Sequence, residues 1–266
     1  MKKPLLTLVL TLLSLPVMAA GGSGWPLDHM SPDMENKASL QRGVQTYMNY
    51  CMGCHSLKFS RYERVANDLG IPVDLYDQYL KFDGDHKIGS LMTNAMATED
   101  AKKWFGAAPP DLTLVARSKG PDWLYSYLRT FYRDPSRPYG FNNKVFPDVG
   151  MPHVLAELQG VQVCAPGSVK AENGGILRDP LTGEDVTHDE SGKPLNPCGK
   201  LVVEEPGELS VEEYDQLVYD LVNFLEYVAE PALMHRERIG IYALFYLALL
   251  FVFAWLLNRE YWKDVH

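Results

Sequence analysis

Cys51-Met52-Gly53-Cys54-His55 constrains this chain more than any other stretch. Two thiols three positions apart, with an imidazole directly after them, read as the attachment site of a c-type haem. The sulfurs form thioethers with the haem vinyl groups, and the tether holds His55 against the iron as proximal ligand. Any fold adopted here must therefore surround a covalently held iron centre. Two other chemistries use C-x-x-C. A structural zinc site needs four ligands, and the remaining thiols, Cys164 and Cys198, do not form a second such pair. A thioredoxin-type dithiol belongs near a βαβ pattern, whereas the residues around Cys51 have a helical period.

The two ends of the chain bear on where that centre works. Met1-Lys2-Lys3 precedes an apolar run over 5–17, broken by Thr7, Thr11, Ser14 and Pro16, and small residues follow at Ala19 and Ala20. This is the pattern of a secretory signal peptide, expected over residues 1–19. Export fits the motif and permits disulfides. Lys2 and Lys3 leave with the signal, taking the 25 Lys and Arg to 23 against 34 Asp and Glu, a balance of −11. Such a surface disfavours nucleic acid and favours a basic partner, although scattered charge also serves plain solubility. The densest acidic stretch holds Glu204, Glu205, Glu208, Glu212, Glu213 and Asp215 with no cation between them. Near the other end, 239–257 runs 19 residues without a charge, about 28 Å as a helix and close to a bilayer core. Trp255, Tyr261 and Trp262 stand where interfacial aromatics belong. Arg236 and Arg238 before the span balance Arg259 and Lys263 after it, so loop charge does not orient it. The signal does, and it leaves the tail in the cytoplasm.

Between these ends the period is mainly helical. Leu40, Val44, Tyr47 and Cys51 recur at helix spacing from about residue 36, so a helix delivers the haem motif at its end. Gly43 lowers propensity there, and close approach of another helix is one reason to keep it. Residues 57–105 lack a strong period, with helices expected near 73–82 and 98–105. Pro109-Pro110 forces an extended segment, after which Asp111 is expected to cap a short helix. Trp123, Leu124, Tyr127, Leu128 and Phe131 make one aromatic face, plain core or a wall that keeps water from a macrocycle. Residues 139–153 read as irregular. Residues 160–208 read as a Gly/Pro-rich insertion with short strands near 161–164 and 201–203. Ser210-Val211-Glu212-Glu213 is a capping box, and 211–229 a helix that packs across the one entering the haem motif.

The residues alone leave the second iron face open: vacant for ligand binding or peroxidase-like chemistry, or closed by His or Met for electron transfer. Met151, in Gly150-Met151-Pro152, is one candidate. Met92 and Met96 are more simply packing, Met234 sits beside the membrane, and His86 and His153 read as exposed loop histidines. Cys164 and Cys198, the two leftover thiols, most simply pair, although both free is the alternative.

Taken in order, Cys51-Met52-Gly53-Cys54-His55-Ser56-Leu57, then Pro109-Pro110-Asp111-Leu112 with Ala116-Arg117, then Gly150-Met151-Pro152, and finally Ala229-Glu230-Pro231 before a single C-terminal span, resemble the cytochrome c1 family over nearly the whole mature chain. That resemblance implies a mainly α fold, a c-type cytochrome core with loop insertions plus one C-terminal transmembrane helix. It divides the chain into a signal peptide (1–19), an exported haem domain (20–234), a membrane anchor (235–258) and a cytoplasmic tail (259–266). It implies one covalently bound c-type haem on Cys51 and Cys54, with His55 and Met151 as axial ligands and Arg117 facing a propionate. Bacterial members suggest a Cys164–Cys198 disulfide. The role implied is an electron-transfer subunit of a quinol–cytochrome c reductase, without substrate chemistry of its own. Its partners would be cytochrome b, the Rieske iron–sulfur protein and a soluble or anchored c-type cytochrome, and its place the periplasmic side of a bacterial inner membrane. The rival readings are an anchored cytochrome feeding another oxidase or reductase, and an open-site haem enzyme or sensor.

Overall fold

The computed structural model describes residues 25–263, apart from 83, 85, 86, 170–174, 181 and 190 and the side chains of residues 234, 237 and 238. The expected signal peptide, His86, the Met234 side chain and the last three tail residues lie outside the described residues.

Two helices organise the domain. α1 (Lys37–Thr46) starts where the Asn36 side chain accepts from Ser39 N, and α8 (Val211–Ala229) starts at the Ser210–Glu213 capping box. The two cross at Gly43, where a Cβ would stand 2.1 Å from the Asp220 carbonyl oxygen and 2.6 Å from Phe224 Cβ. Gly43 thus trades helix propensity for contact between backbones. Burial of Leu40 and Val44 against Leu221 and Phe224 supplies the apolar part of the seam. A polar clamp completes it. Asp220, almost fully buried, accepts from Ser39 Oγ at 2.6 Å, Arg42 Nε at 2.6 Å and Gln216 Nε2 at 3.0 Å. Asn223 Nδ2 donates to Ser39 Oγ and to the Asp33 carbonyl. A buried carboxylate is tolerable only when its oxygens are satisfied in this way.

Shorter elements surround this pair. β1 (Leu57–Arg61) pairs antiparallel with β2 (Leu91–Met92). α2 (Tyr62–Leu69) and α3 (Val73–Tyr79) follow β1, and α4 (Thr98–Phe105) follows β2. α5 (Val115–Lys119) and α6 (Pro121–Arg129) pack against α8. The Tyr214 hydroxyl, from α8, donates to the Leu128 carbonyl, and Arg129 forks onto the Asp215 carboxylate at 2.6 and 2.7 Å. β3 (Phe131–Arg133) pairs with β4 (Phe141–Asn143). After the single turn α7 (Ala156–Gln159), β5 (Gly160–Ala165) pairs with β6 (Lys200–Pro206). Cys164 and Cys198 are bonded in this ribbon, their Cα atoms 4.6 Å apart.

The helices expected near 98–105 and over 211–229 stand at those positions, and the one near 73–82 ends at Tyr79. Three readings needed correction. Phe131 is not on the aromatic helix, which ends at Arg129, because the chain turns into β3. The stretch 57–105, read as aperiodic, contains α2, whose Tyr62, Val65, Ala66 and Leu69 are all buried at helix spacing. Asp111 does not cap α5: Leu114 holds that N-cap without a side-chain bond.

α9 (Leu233–Tyr261) closes the chain. Its Ile239–Tyr261 stretch, 23 residues, is long and apolar enough to cross a membrane, and none of its apolar window is buried. A core helix of a soluble domain would be covered.

Candidate haem-binding site

α1 does not end in an ordinary turn. From Tyr47 to Cys51 the backbone widens into a π turn, with Met52 N donating to the Tyr47 carbonyl at 2.9 Å. π turns are rare and concentrate at functional positions. Here the wide turn is followed by a tight one, His55 N donating to the Cys51 carbonyl at 2.8 Å, so that both cysteines and the imidazole share one loop. The Tyr47 hydroxyl secures it with a 2.5 Å bond to the His55 carbonyl.

The imidazole is held from the opposite side by the Pro-Pro-Asp-Leu segment. His55 Nδ1 lies 2.7 Å from the Pro110 carbonyl oxygen. A carbonyl can only accept, so Nδ1 carries the proton and Nε2 keeps its lone pair. Leu112 N donates to the Ser56 carbonyl at 3.0 Å. Asp111 accepts from Lys58 N at 2.7 Å and Thr113 N at 3.0 Å. The segment is thus bonded along Ser56–Lys58, which accounts for Asp111 without a helix cap. Burial lowers the His55 pKa, opposed by the bond to Pro110 and the nearby Asp111. A neutral imidazole with one free nitrogen is a ligand form.

Cys51 and Cys54 are not joined to each other in a disulfide, and the first is buried and the second half-buried. Burial pushes the Cys51 thiol up to about 12, with Cys54 adding to the effect, and burial raises Cys54 as well. Redox C-x-x-C pairs have the opposite environment, one that lowers a thiol pKa. A cavity of about 320 Å³ opens beside Cys54, lined among others by Lys58, Asn94, Met96 and Pro109. Two unbonded thiols, a histidine with its free nitrogen preset and adjoining space fit a c-type haem.

Met151 sits in the loop after β4. Gly150 abuts the Phe105 carbonyl, so close that a Cβ there would come within 3.1 Å. Phe105 leads into the segment whose Pro110 holds His55. Tyr127 Oη donates to Met151 Sδ at 3.3 Å, and burial raises the Tyr127 phenol pKa. Trp123 stacks on Tyr127 at 4.9 Å and 9°, and Phe131 meets Tyr127 edge-on, so the aromatic face forms a wall behind Met151. Arg117 is exposed on α5 with no ion-pair partner among the described residues.

One competing ligand was misread. His153 is not an exposed loop histidine. It is buried, stacked on Phe131 at 4.8 Å and 2° and edge-on to Phe141, and burial pushes its pKa down to about 4. Met96 lines the cavity beside Cys54, and Met92 is fully buried packing. The acidic stretch is also largely committed internally. Glu204 and Glu205 pair with Arg133, Asp215 with Arg129, and Glu213 with the Ser210 backbone. Glu208 and Glu212 remain without an ion-pair partner among the described residues. The bonds made by Pro110 and Tyr127 escaped sequence reading because their partners lie on other segments. The doubled proline was the one visible signal, and its reason is the carbonyl it presents.

Comparison with known proteins agrees with this geometry. The model of the Cytochrome C1 family matches residues 25–163 and 204–265, leaving out most of the disulfide-closed insertion. Cytochrome c1 of Allochromatium vinosum is 48% identical over 266 residues, all of both chains. The ammonia monooxygenase gamma subunit of Nitrosomonas europaea is 39% identical over 260 residues, 97% of each. Cytochrome b/c1 of Bradyrhizobium diazoefficiens is 25% identical over 252 residues, 87% of this chain and 34% of that protein. The chain belongs to the cytochrome c1 family, and its cofactor is the family's c-type haem.

Proposed function

We propose that this chain is the haem-bearing electron carrier of a cytochrome bc1-type complex, taking electrons from a Rieske iron–sulfur protein and passing them to a c-type cytochrome. The observation that carries the reading is the His55 Nδ1 to Pro110 carbonyl bond, which leaves Nε2 free beside two unbonded thiols. The haem supplies an iron that cycles between two oxidation states. Cys51 and Cys54 would tether it, and His55 Nε2 and Met151 Sδ would hold its iron. Arg117, an always-charged fork with no ion-pair partner among the described residues, would face a propionate. A closed His/Met pair moves electrons and makes no substrate bonds.

The name of the Bradyrhizobium relative, cytochrome b/c1, supports a cytochrome b neighbour. The signal-like start supports a periplasmic haem domain over 20–234, held to a bacterial inner membrane by 235–258 with 259–266 in the cytoplasm. The monooxygenase name of one relative keeps an open-site reading in view, and carbon monoxide separates the two. The reduced native protein should bind it only slowly. In Met151→Leu the sulfur-to-iron absorption band of the ferric state should vanish, the midpoint potential should fall sharply and carbon monoxide should bind quickly. Rapid binding by the unaltered protein sinks the closed-site assignment. Copurification with a cytochrome b and a Rieske protein is expected from solubilised membranes; isolation without both refutes the complex.

A further inference from the structure

We propose that Tyr127 is a positioning residue for the Met151 thioether, and that its single O–H···S bond biases the haem toward the reduced state. The inference rests on the reading of Met151 as an axial ligand. A thioether sulfur has two lone pairs. One accepts from Tyr127 Oη at 3.3 Å, and the other is left for the iron. A donor on sulfur withdraws electron density from it. Ferric iron depends on that density more than ferrous iron does, so the bond disfavours the oxidised state. Hydrogen bonds to ligating atoms are a recognised lever on haem potential.

Other contacts hold both ends of this bond. The phenol cannot swing away: its ring is 8% exposed, stacked on Trp123 and edge-on to Phe131. The loop backbone is fixed separately. Arg137 donates to the Asp148 carbonyl at 2.7 Å and the Val149 carbonyl at 3.2 Å, Asn142 Oδ1 accepts from Asp148 N at 2.9 Å, and Gly150 lies against Phe105. With the backbone held, the freedom left is that of an unbranched methionine side chain with three rotatable bonds. The hydroxyl selects one arrangement of it.

Tyr127→Phe keeps the ring and deletes the donor. Redox titration of full-length, haem-loaded protein in membranes should show the ferrous-to-ferric ratio at a fixed ambient potential falling about threefold, about 28 mV at 59 mV per tenfold for one electron. The ferric sulfur-to-iron band should persist, and reduced Tyr127→Phe should still exclude carbon monoxide. An unchanged ratio overturns the inference. So does loss of the band or rapid carbon monoxide binding in Tyr127→Phe, because the hydroxyl would then be holding Met151 onto the iron rather than tuning a ligand that stays in place without it. Met151→Leu run alongside tests the underlying reading: a sulfur-to-iron band that survives there removes Met151 as ligand, whatever Tyr127→Phe does.

Discussion

Asp148 is the one non-glycine residue with positive φ among those described, at 61°. A left-handed conformation costs an ordinary residue about 1–2 kcal/mol, with Asp and Asn suffering least. The turn it makes carries the chain into Gly150-Met151-Pro152. Asp148→Gly should therefore unfold within about 0.5 kcal/mol of the parent, because the exposed Arg137 pair it loses is worth little. Asp148→Val should lose about 2 kcal/mol or more. Thermal melts of the two variants compare them directly, and equal losses would remove the backbone argument. A second residue prediction concerns pH. Glu226 on α8 has an oxygen without a partner, and burial together with Glu230 raises its pKa above the usual 4.5. The folded state then holds the proton more tightly than the unfolded chain. The penalty is absent below about 4.5 and grows as pH climbs through the folded pKa. Glu226→Gln should add roughly 0.5 kcal/mol at neutral pH, discounted for partial exposure, and nothing at pH 4. A gain that is the same at both values contradicts this. At this scale the haem motif was legible because its chemistry lies within five consecutive residues. The His55 to Pro110 bond was not, since it joins positions 55 apart.

Elements divide by length in the same way. α8 and α9 announce themselves through period or sustained apolarity over 19 and 23 residues. A two-residue strand such as β2, or a four-residue turn such as α7, is shorter than the repeat that would reveal it, and tertiary pairing alone fixes it. Gly43 lies between these cases, since a glycine in a helix signals close approach without naming the partner. Gly43→Ala should cost about 3 kcal/mol, the range for forced overpacking, since the new Cβ meets a backbone carbonyl that cannot rotate away. Because α1 delivers the haem loop, the same variant should broaden the haem absorption bands. Urea denaturation of the haem-loaded protein with normal parent stability would show that the crossing adjusts freely.

For the molecule as a whole, the outline of a helical domain, a loop-rich insertion and a terminal span was legible from composition and period. The two strands of the insertion and its cysteine pair were legible as well; the register that joins the strands was not, because it pairs residues far apart in sequence. The family match leaves out 164–203, and the elements that build the haem site lie outside that stretch. Replacing Cys164 and Cys198 together by serine should cost up to about 4 kcal/mol by loop-closure entropy. It should also speed hydrogen exchange across 166–197 and leave the sulfur-to-iron band intact. A shifted band would mean that the insertion bears on the iron after all.

Only Glu230, Pro231 and Ala232 separate α8 from α9, and Arg236 pairs back to Glu230. Three residues reach about 10 Å when fully extended, and α8 is itself bonded through Gly43 and Asp220 to the helix that carries the haem loop. A tether that short allows no long excursions above the bilayer. On the proposed reading, the redox centre of this chain is a fixed station, and the carriers on either side do the travelling.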